Sequence, residues 1–199
     1  MIDINKAEQK ALKIIFADYT TEYNAHTIKE KLGVSHKYST VVLKSLSEKD
    51  ILIGKRMGKA IFYKPNLENL YTIKLMELIY TDHTQESSYV KGWIIDLKAF
   101  QSNAEAILLF GSILTKGKDA RDADVCFILK TYEGYGNVEK KIKEINSTHK
   151  LKIHALHITK KDCIQKLKEG DKPLIDLVRT CVVAFGQDAF VRIVKDAQQ

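Results

Sequence analysis

The sequence predicts a two-domain protein of mixed α/β (α+β) class, and three observations predict it. Apolar residues recur at helical spacing three times before residue 47, and two short strand-like runs follow. From Ile107 onward, apolar strand-like runs alternate with amphipathic helical stretches, the pattern of a mixed sheet flanked by helices. Between these halves lies the short polar segment Thr81 to Ser88, where the domain junction is expected.

A chain of 199 residues has room for one large domain or two small ones. Hydrophobic content of 45% and charged content of 29% are those of an ordinary globular protein. No apolar run approaches the ~20 residues of a membrane span, so no membrane partner is expected. The opening Met1-Ile2-Asp3-Ile4-Asn5-Lys6 lacks a signal-peptide pattern. Three widely spaced cysteines, Cys126, Cys163 and Cys181, argue against a disulfide framework or zinc cluster and for a reducing, cytoplasmic setting. A net charge of +7 favours an anionic partner.

In chain order, Ala7 to Tyr19 is expected to be a helix, with Ala11, Leu12, Ile15 and Phe16 on its apolar face. A short helix should start at Thr27, with Glu30 three residues on as in a capping box, and stop at Gly33. A third helix follows the Val34-Ser35 turn, with Val42, Leu43 and Leu46 facing inward. Three helices with a tight turn between the last two form a helix-turn-helix layout. Ile51–Ile53 and Ala60–Tyr63 read as strands joined by Gly54-Lys55-Arg56-Met57-Gly58-Lys59.

The stretch Thr27 to Pro65 resembles the winged helix-turn-helix of archaeal and bacterial regulators. That resemblance implies a third helix in the major groove of double-stranded DNA and a hairpin wing on its backbone. Lys37, Thr40 and Lys44 share one helix face, with His36 and Tyr38 nearby. No acid occurs from Ile51 to Pro65, while Lys55, Arg56, Lys59 and Lys64 are basic, as phosphate binding requires. Asp50 stands where relatives often carry Gly before the first wing strand, which should alter that turn. A protein-interaction role for the same module stays open. The winged helix-turn-helix domain is expected over residues 1–66 and a connecting helix over 67–85. The stretch Asn66 to Asp82 is too apolar for a free linker; it either packs on the first helix or pairs with its copy in a homodimer.

The remaining domain is expected over residues 86–199. Its first helix, Glu86 to Phe100, carries Val90, Trp93, Ile94 and Leu97 inward. Strand Ala104 to Phe110 runs into Gly111-Ser112, where a helix should begin and extend to Lys116. A loop follows, then a second strand opening with Asp122-Ala123-Asp124-Val125. Residues i and i+2 of a strand share a face, so Asp122 and Asp124 project together from one edge of a sheet. Two convergent carboxylates are costly unless a cation sits between them, and oxygen donors suit Mg²⁺ carrying phosphate oxygens. Gly111 lets backbone approach a ligand, and the Ser112 hydroxyl and nearby N–H groups can hold phosphate.

Phe110-Gly111-Ser112, nine residues, then Asp122-Ala123-Asp124 resembles the signature of the DNA polymerase β-like nucleotidyltransferase superfamily in its minimal form. The resemblance implies Gly111 and Ser112 on the phosphates of an NTP, and Asp122 and Asp124 as catalytic ligands of Mg²⁺. Many relatives have Ser before the first acid, where this chain has Arg121. A helix over Val138–His149 and a third strand over Leu151–Ile158 complete the central part. Active relatives carry a third carboxylate on that strand; counted from Thr159, the position falls on His154, with His157 facing the other way. Mg²⁺ prefers oxygen, so a second, nucleophile-activating metal lacks a ligand unless Asp119, Glu133 or Asp162 supplies it. Helix Lys160–Lys168, a helix opened by Asp171-Lys172-Pro173, the run Cys181-Val182-Val183-Ala184-Phe185-Gly186 and a last helix through Phe190, Ile193 and Val194 resemble the end of the same minimal domain. Two functions follow as expectations. One is an enzyme transferring a nucleoside monophosphate from Mg-NTP to a hydroxyl. The other is a DNA-binding transcriptional regulator whose second domain has lost catalysis and serves nucleotide sensing or assembly.

Overall fold

The computed structural model describes residues 3–198; Met1, Ile2 and Gln199, assigned above to the two terminal domains, lie outside the described residues. The chain divides into two compact units, Met1–Ile79 and Tyr80–Gln199. The architecture is mixed helix and sheet, with a two-stranded and a four-stranded sheet. Among the described residues no helix is long and apolar enough to cross a membrane.

The first unit opens with α1 (Lys6–Ala17). Asn5 Oδ1 accepts from the Ala7 and Glu8 N–H groups, and Glu8 Oε2 accepts from the Asn5 N–H at 2.8 Å, a reciprocal cap. The second helix, α2 (Ala25–Leu32), starts two residues before the expected Thr27. Asn24 is the cap, accepting from the His26 and Thr27 N–H groups, and Thr27 answers by accepting from the Asn24 N–H at 2.9 Å. An Asn side chain caps at least as well as Thr, so the earlier residue takes the role. Gly33 ends α2 in the left-handed region at φ +73°, and Ser35 caps α3 (His36–Glu48). Buried Ser39 ties α3 to α2 by donating to the Ala25 carbonyl at 2.7 Å.

The strands β1 (Leu52–Met57) and β2 (Ala60–Pro65) pair antiparallel with Met57 opposite Ala60. The turn is therefore only Gly58-Lys59, with Gly58 at φ +61°, and Lys55 and Arg56 lie inside β1 rather than in a loop. Asp50 adopts φ 57°, where Gly would be at ease. Its carboxylate holds the conformation by accepting from Asn66 Nδ2 at 2.9 Å and Asn69 Nδ2 at 3.1 Å. That anchor occupies Asn66–Asn69 as a turn, so α4 (Leu70–Thr81) begins later than expected; Leu70 and Leu78 are exposed on it.

Two buried acids cross-link the first unit. Glu8 accepts from Ser45 at 2.7 Å and pairs with Lys49 at 2.8 Å, joining α1 to α3. Asp18 accepts from Thr21 and from the Tyr23 hydroxyl and pairs with Lys31 at 2.9 Å. Burial pushes the Asp18 carboxyl up, but the bonds from Tyr23, Lys31 and Thr21 outweigh it and bring the group to about 2. This folded value is below the unfolded ~3.9. The stabilisation is thus complete above that unfolded value and is lost as pH falls through the folded one. Asp18→Asn leaves Lys31 without its countercharge and should cost about 1–3 kcal/mol at neutral pH. Urea melts should show that deficit shrinking between pH 4 and pH 2; a deficit independent of pH would contradict the assignment.

The second unit holds a sheet of order β5-β4-β3-β6, made of β3 (Ala106–Phe110), β4 (Asp122–Leu129), β5 (Lys152–Thr159) and β6 (Val182–Phe185). The β4–β5 pair is parallel and β3 pairs antiparallel with β4 and β6, so the sheet is mixed, as expected. One face carries Ile107, Leu109, Val125, Phe127 and Ile153 against α5 (Ser88–Leu97) and α7 (Tyr135–Thr148). Trp93 is buried in this core. Alternation sends Leu108, Cys126, Ile128 and Ile158 to the other face, next to α8 (Lys160–Lys168) and α10 (Gln187–Ala197), with α9 (Lys172–Thr180) between them in sequence. The chain from β3 to β4 forms only one turn of helix, α6 (Ile113–Lys116), and a 3-10 turn over Gly117–Asp119. Helix α7 starts at Tyr135, ahead of the expected Val138, directly after a 3-10 turn over Tyr132–Gly134.

Candidate functional site

Strand period fixes the first feature of the second unit. Asp122 and Asp124 stand on the face of β4 shared with Cys126, both half-buried. They lie at the start of an interior strand, not at a sheet edge, because β3 and β5 flank β4. Phe110 is the antiparallel partner of Asp124 and His154 its parallel partner, so the three form one row across the sheet.

The Asp124 carboxylate has two distinct surroundings. The His154 imidazole donates from Nδ1 to Oδ1 at 2.9 Å. Oδ2 points to the turn after β3, where Gly111 sits at φ +76°. A Cβ built on Gly111 would lie 2.3 Å from that oxygen, so only glycine allows the turn this close. Ser112 follows in helical conformation; its hydroxyl makes none of the described hydrogen bonds. With α6 a single turn, a helix dipole adds little there, and the hydroxyl and backbone N–H groups are what remains to meet an anion.

Two carboxylates on one strand face are oxygen donors of the kind an oxygen-preferring divalent cation takes, together with phosphate or water oxygens. Among the described residues no group of three or more His, Cys, Asp or Glu side chains is arranged to hold a metal ion. Of the three acids that could substitute, Asp119 lies in the 3-10 turn before β4, Glu133 in the one before α7 and Asp162 in the first turn of α8. Asp162 is committed: it accepts from Thr159 at 2.8 Å and from the Tyr132 hydroxyl at 3.1 Å. His157 faces the opposite side from His154, stacked on Phe127 with ring centroids 5.5 Å apart. Burial lowers its basicity, against a smaller opposing pull from Glu139. Cys126 is fully buried and its thiol is pushed far up by burial, which makes it packing rather than a nucleophile.

In the first unit, Lys37, Thr40 and Lys44 are exposed on α3. Thr40 donates its hydroxyl to the His36 carbonyl at 2.9 Å, and Lys44 is paired with Glu48 at 3.6 Å. Val41 and Tyr38 are also exposed on this helix, 56% and 44% respectively; exposed Val41 is the residue that sequence reasoning missed. The hairpin separates its cations. Arg56 pairs with Ile61, and Ile61, Lys59, His36 and Thr40 line one cleft between hairpin and α3. Lys55 and Lys64 fall on the other face, with Ile53, Met57 and Phe62. Arg56 and Lys59 therefore join the α3 surface, and Lys55 does not. His26 and His36 add two rings there, 6.1 Å apart edge to face.

Compared with protein-family models, curated proteins and solved structures, the chain finds no match.

Proposed function

We propose that this is a DNA-binding protein of winged-helix type whose second unit binds Mg-NTP and transfers a nucleoside monophosphate to a hydroxyl acceptor. The observation that carries the enzymatic part is the approach of Gly111 to Asp124, which sets a glycine turn with exposed backbone against one carboxylate of the pair. Gly111 and Ser112 would orient the phosphates, and His154 fixes Asp124 so that Oδ2 faces them. A divalent cation held by Asp122, Asp124 and phosphate oxygens would offset charge building on the phosphoryl group. In the transfer, the acceptor oxygen bonds to the α-phosphorus as the α–β bridge bond breaks. Pyrophosphate leaves with the electron pair and the hydroxyl proton passes to solvent.

DNA binding is supported by the exposed α3 face and by Arg56 and Lys59 beside it. A homodimer through α4, where Leu70 and Leu78 are exposed, would match two-fold DNA sites. Three buried cysteines, none of them in a disulfide, are in keeping with a cytoplasmic setting.

His154 supports a second reading, in which the protein is a transcriptional regulator and its second unit senses nucleotide without turnover. Transfer from radiolabelled NTP separates the two. Slow native transfer that rises in His154→Asp supports an enzyme limited by its missing third acid. No transfer in either form, with Mg-NTP binding intact, supports the sensor. Fast native transfer indifferent to residue 154 would contradict the assigned role of His154.

The close approach of Gly111 gives a separate check. Gly111→Ala would place a methyl group within 2.3 Å of the Asp124 oxygen in a backbone region Ala avoids. The variant should be less stable by about 1–2 kcal/mol from conformation alone. It should also bind Mg-NTP at least tenfold more weakly; unchanged affinity would remove the turn from the site.

A further inference from the structure

The face of the sheet that carries Asp124 continues into a cleft of about 360 Å³. Its floor includes Phe110, from the Asp124 row, and Leu156, from the next row along β5, with Ile158 beyond. One row is two residues on, ~7 Å. The Gly111-Ser112 turn lies past Asp124 in the opposite direction along the strands. In-line displacement puts the attacking oxygen and the leaving pyrophosphate on opposite sides of phosphorus. With the phosphates at the turn, the acceptor approaches from the cleft.

The walls say what the acceptor is. Phe110 and exposed Tyr132 offer aromatic faces, while Leu156, Ile158 and Leu174 are aliphatic. The two carboxylates of the lining are engaged: Asp162 by Thr159 and Tyr132, and Asp171 by the Leu174 N–H at 3.0 Å. Lys166 is the lining lysine, on the exposed side of α8, and its ammonium group makes none of the described ion pairs or hydrogen bonds. A flat, largely apolar body suits these walls, with its anionic group placed at Lys166, away from the two occupied carboxylates. Stacking on aromatic rings accepts any base, and the volume lies in the range of small-molecule sites.

We propose that this cleft is the acceptor subsite and takes a nucleotide, its base against Phe110 and Tyr132 and its phosphate at Lys166. The assignment rests on the transferase reading above. The test titrates the full chain without metal with AMP, and in a second arm with a short 3′-hydroxyl oligonucleotide. Mg-ATP binding is measured separately. Leu156 is 43% exposed, so Leu156→Trp can fill the cleft without entering the core, and Lys166→Ala changes a surface side chain. AMP affinity should fall at least tenfold in Leu156→Trp and severalfold in Lys166→Ala, with Mg-ATP affinity unchanged in both. Tighter binding of the oligonucleotide at the same residues would identify a strand end as the source of the acceptor; binding of AMP alone would identify a free nucleotide. Native chain that binds Mg-ATP but neither AMP nor the oligonucleotide overturns the subsite and leaves the transferase reading standing. Loss of Mg-ATP binding in Leu156→Trp overturns it too, because the cleft would then hold the donor. Failure of the native chain to bind Mg-ATP overturns the transferase reading, and the acceptor role with it.

Discussion

Replacing both Asp122 and Asp124 by Asn should reduce Mg-NTP affinity by on the order of 100-fold or more, since even outer partners of metal ligands cost 10–100-fold. Asn keeps the shape but offers one neutral oxygen where the carboxylate offered two charged ones. Fold should survive, because neither side chain belongs to the apolar core. The two positions differ in what else is lost. The Asp122 carboxylate makes none of the described hydrogen bonds or ion pairs, so Asp122→Asn should leave thermal stability in metal-free buffer unchanged or raised. Asp124→Asn also disturbs the bond from His154, exposed enough that the cost should stay below about 1 kcal/mol. Calorimetry and thermal melts on the single and double variants separate ligand loss from misfolding. Unaltered Mg-NTP affinity in the double variant would take the pair out of consideration.

The second large effect is on DNA. Arg56 and Lys59 project to the α3 side of the hairpin, and each contact to phosphate releases about one counterion. Changing either to Ala should weaken binding to all duplexes alike and lower the salt slope by about one unit; the double change should lower it by about two. Lys55, on the other hairpin face, serves as an internal comparison and should have a smaller effect. Changes at Lys37, Thr40 or Val41 on α3 should instead alter sequence preference, by roughly 1–3 kcal/mol for a good base contact. Lys44, already paired with Glu48, should contribute less than Lys37. Duplex affinity measured from low to moderate salt checks all of these. A chain that binds duplex no better than a neutral globular protein at low salt would turn the first unit into a protein-interaction module.

Periodicity made most of the elements legible, because apolar faces recur at fixed intervals that need no knowledge of the partner. The shared face of Asp122 and Asp124, and the opposed faces of His154 and His157, follow from the strand repeat alone. Boundaries were less legible where two polar residues competed for one role. Asn24 displaced Thr27 as cap of α2, and the Asp50 anchor held Asn66 and Asn69 out of α4. The hairpin turned on its length: a six-residue connection would have grouped Lys55 with Arg56, whereas a two-residue turn extends the strand and alternation parts them. The hydrogen bond of His154 to Asp124 was hidden for another reason. It depends on β5 lying parallel beside β4 in one register, which sequence distance does not encode.

The central claim is that Gly111, Ser112, Asp122 and Asp124 together form a metal–triphosphate site. Calorimetric titration of the native chain with ATP, with and without Mg²⁺, tests it most directly. The arrangement predicts saturable binding that requires the metal, with one triphosphate per chain, and only weak binding in its absence. Equal affinity with and without Mg²⁺, or no binding in either condition, would contradict it.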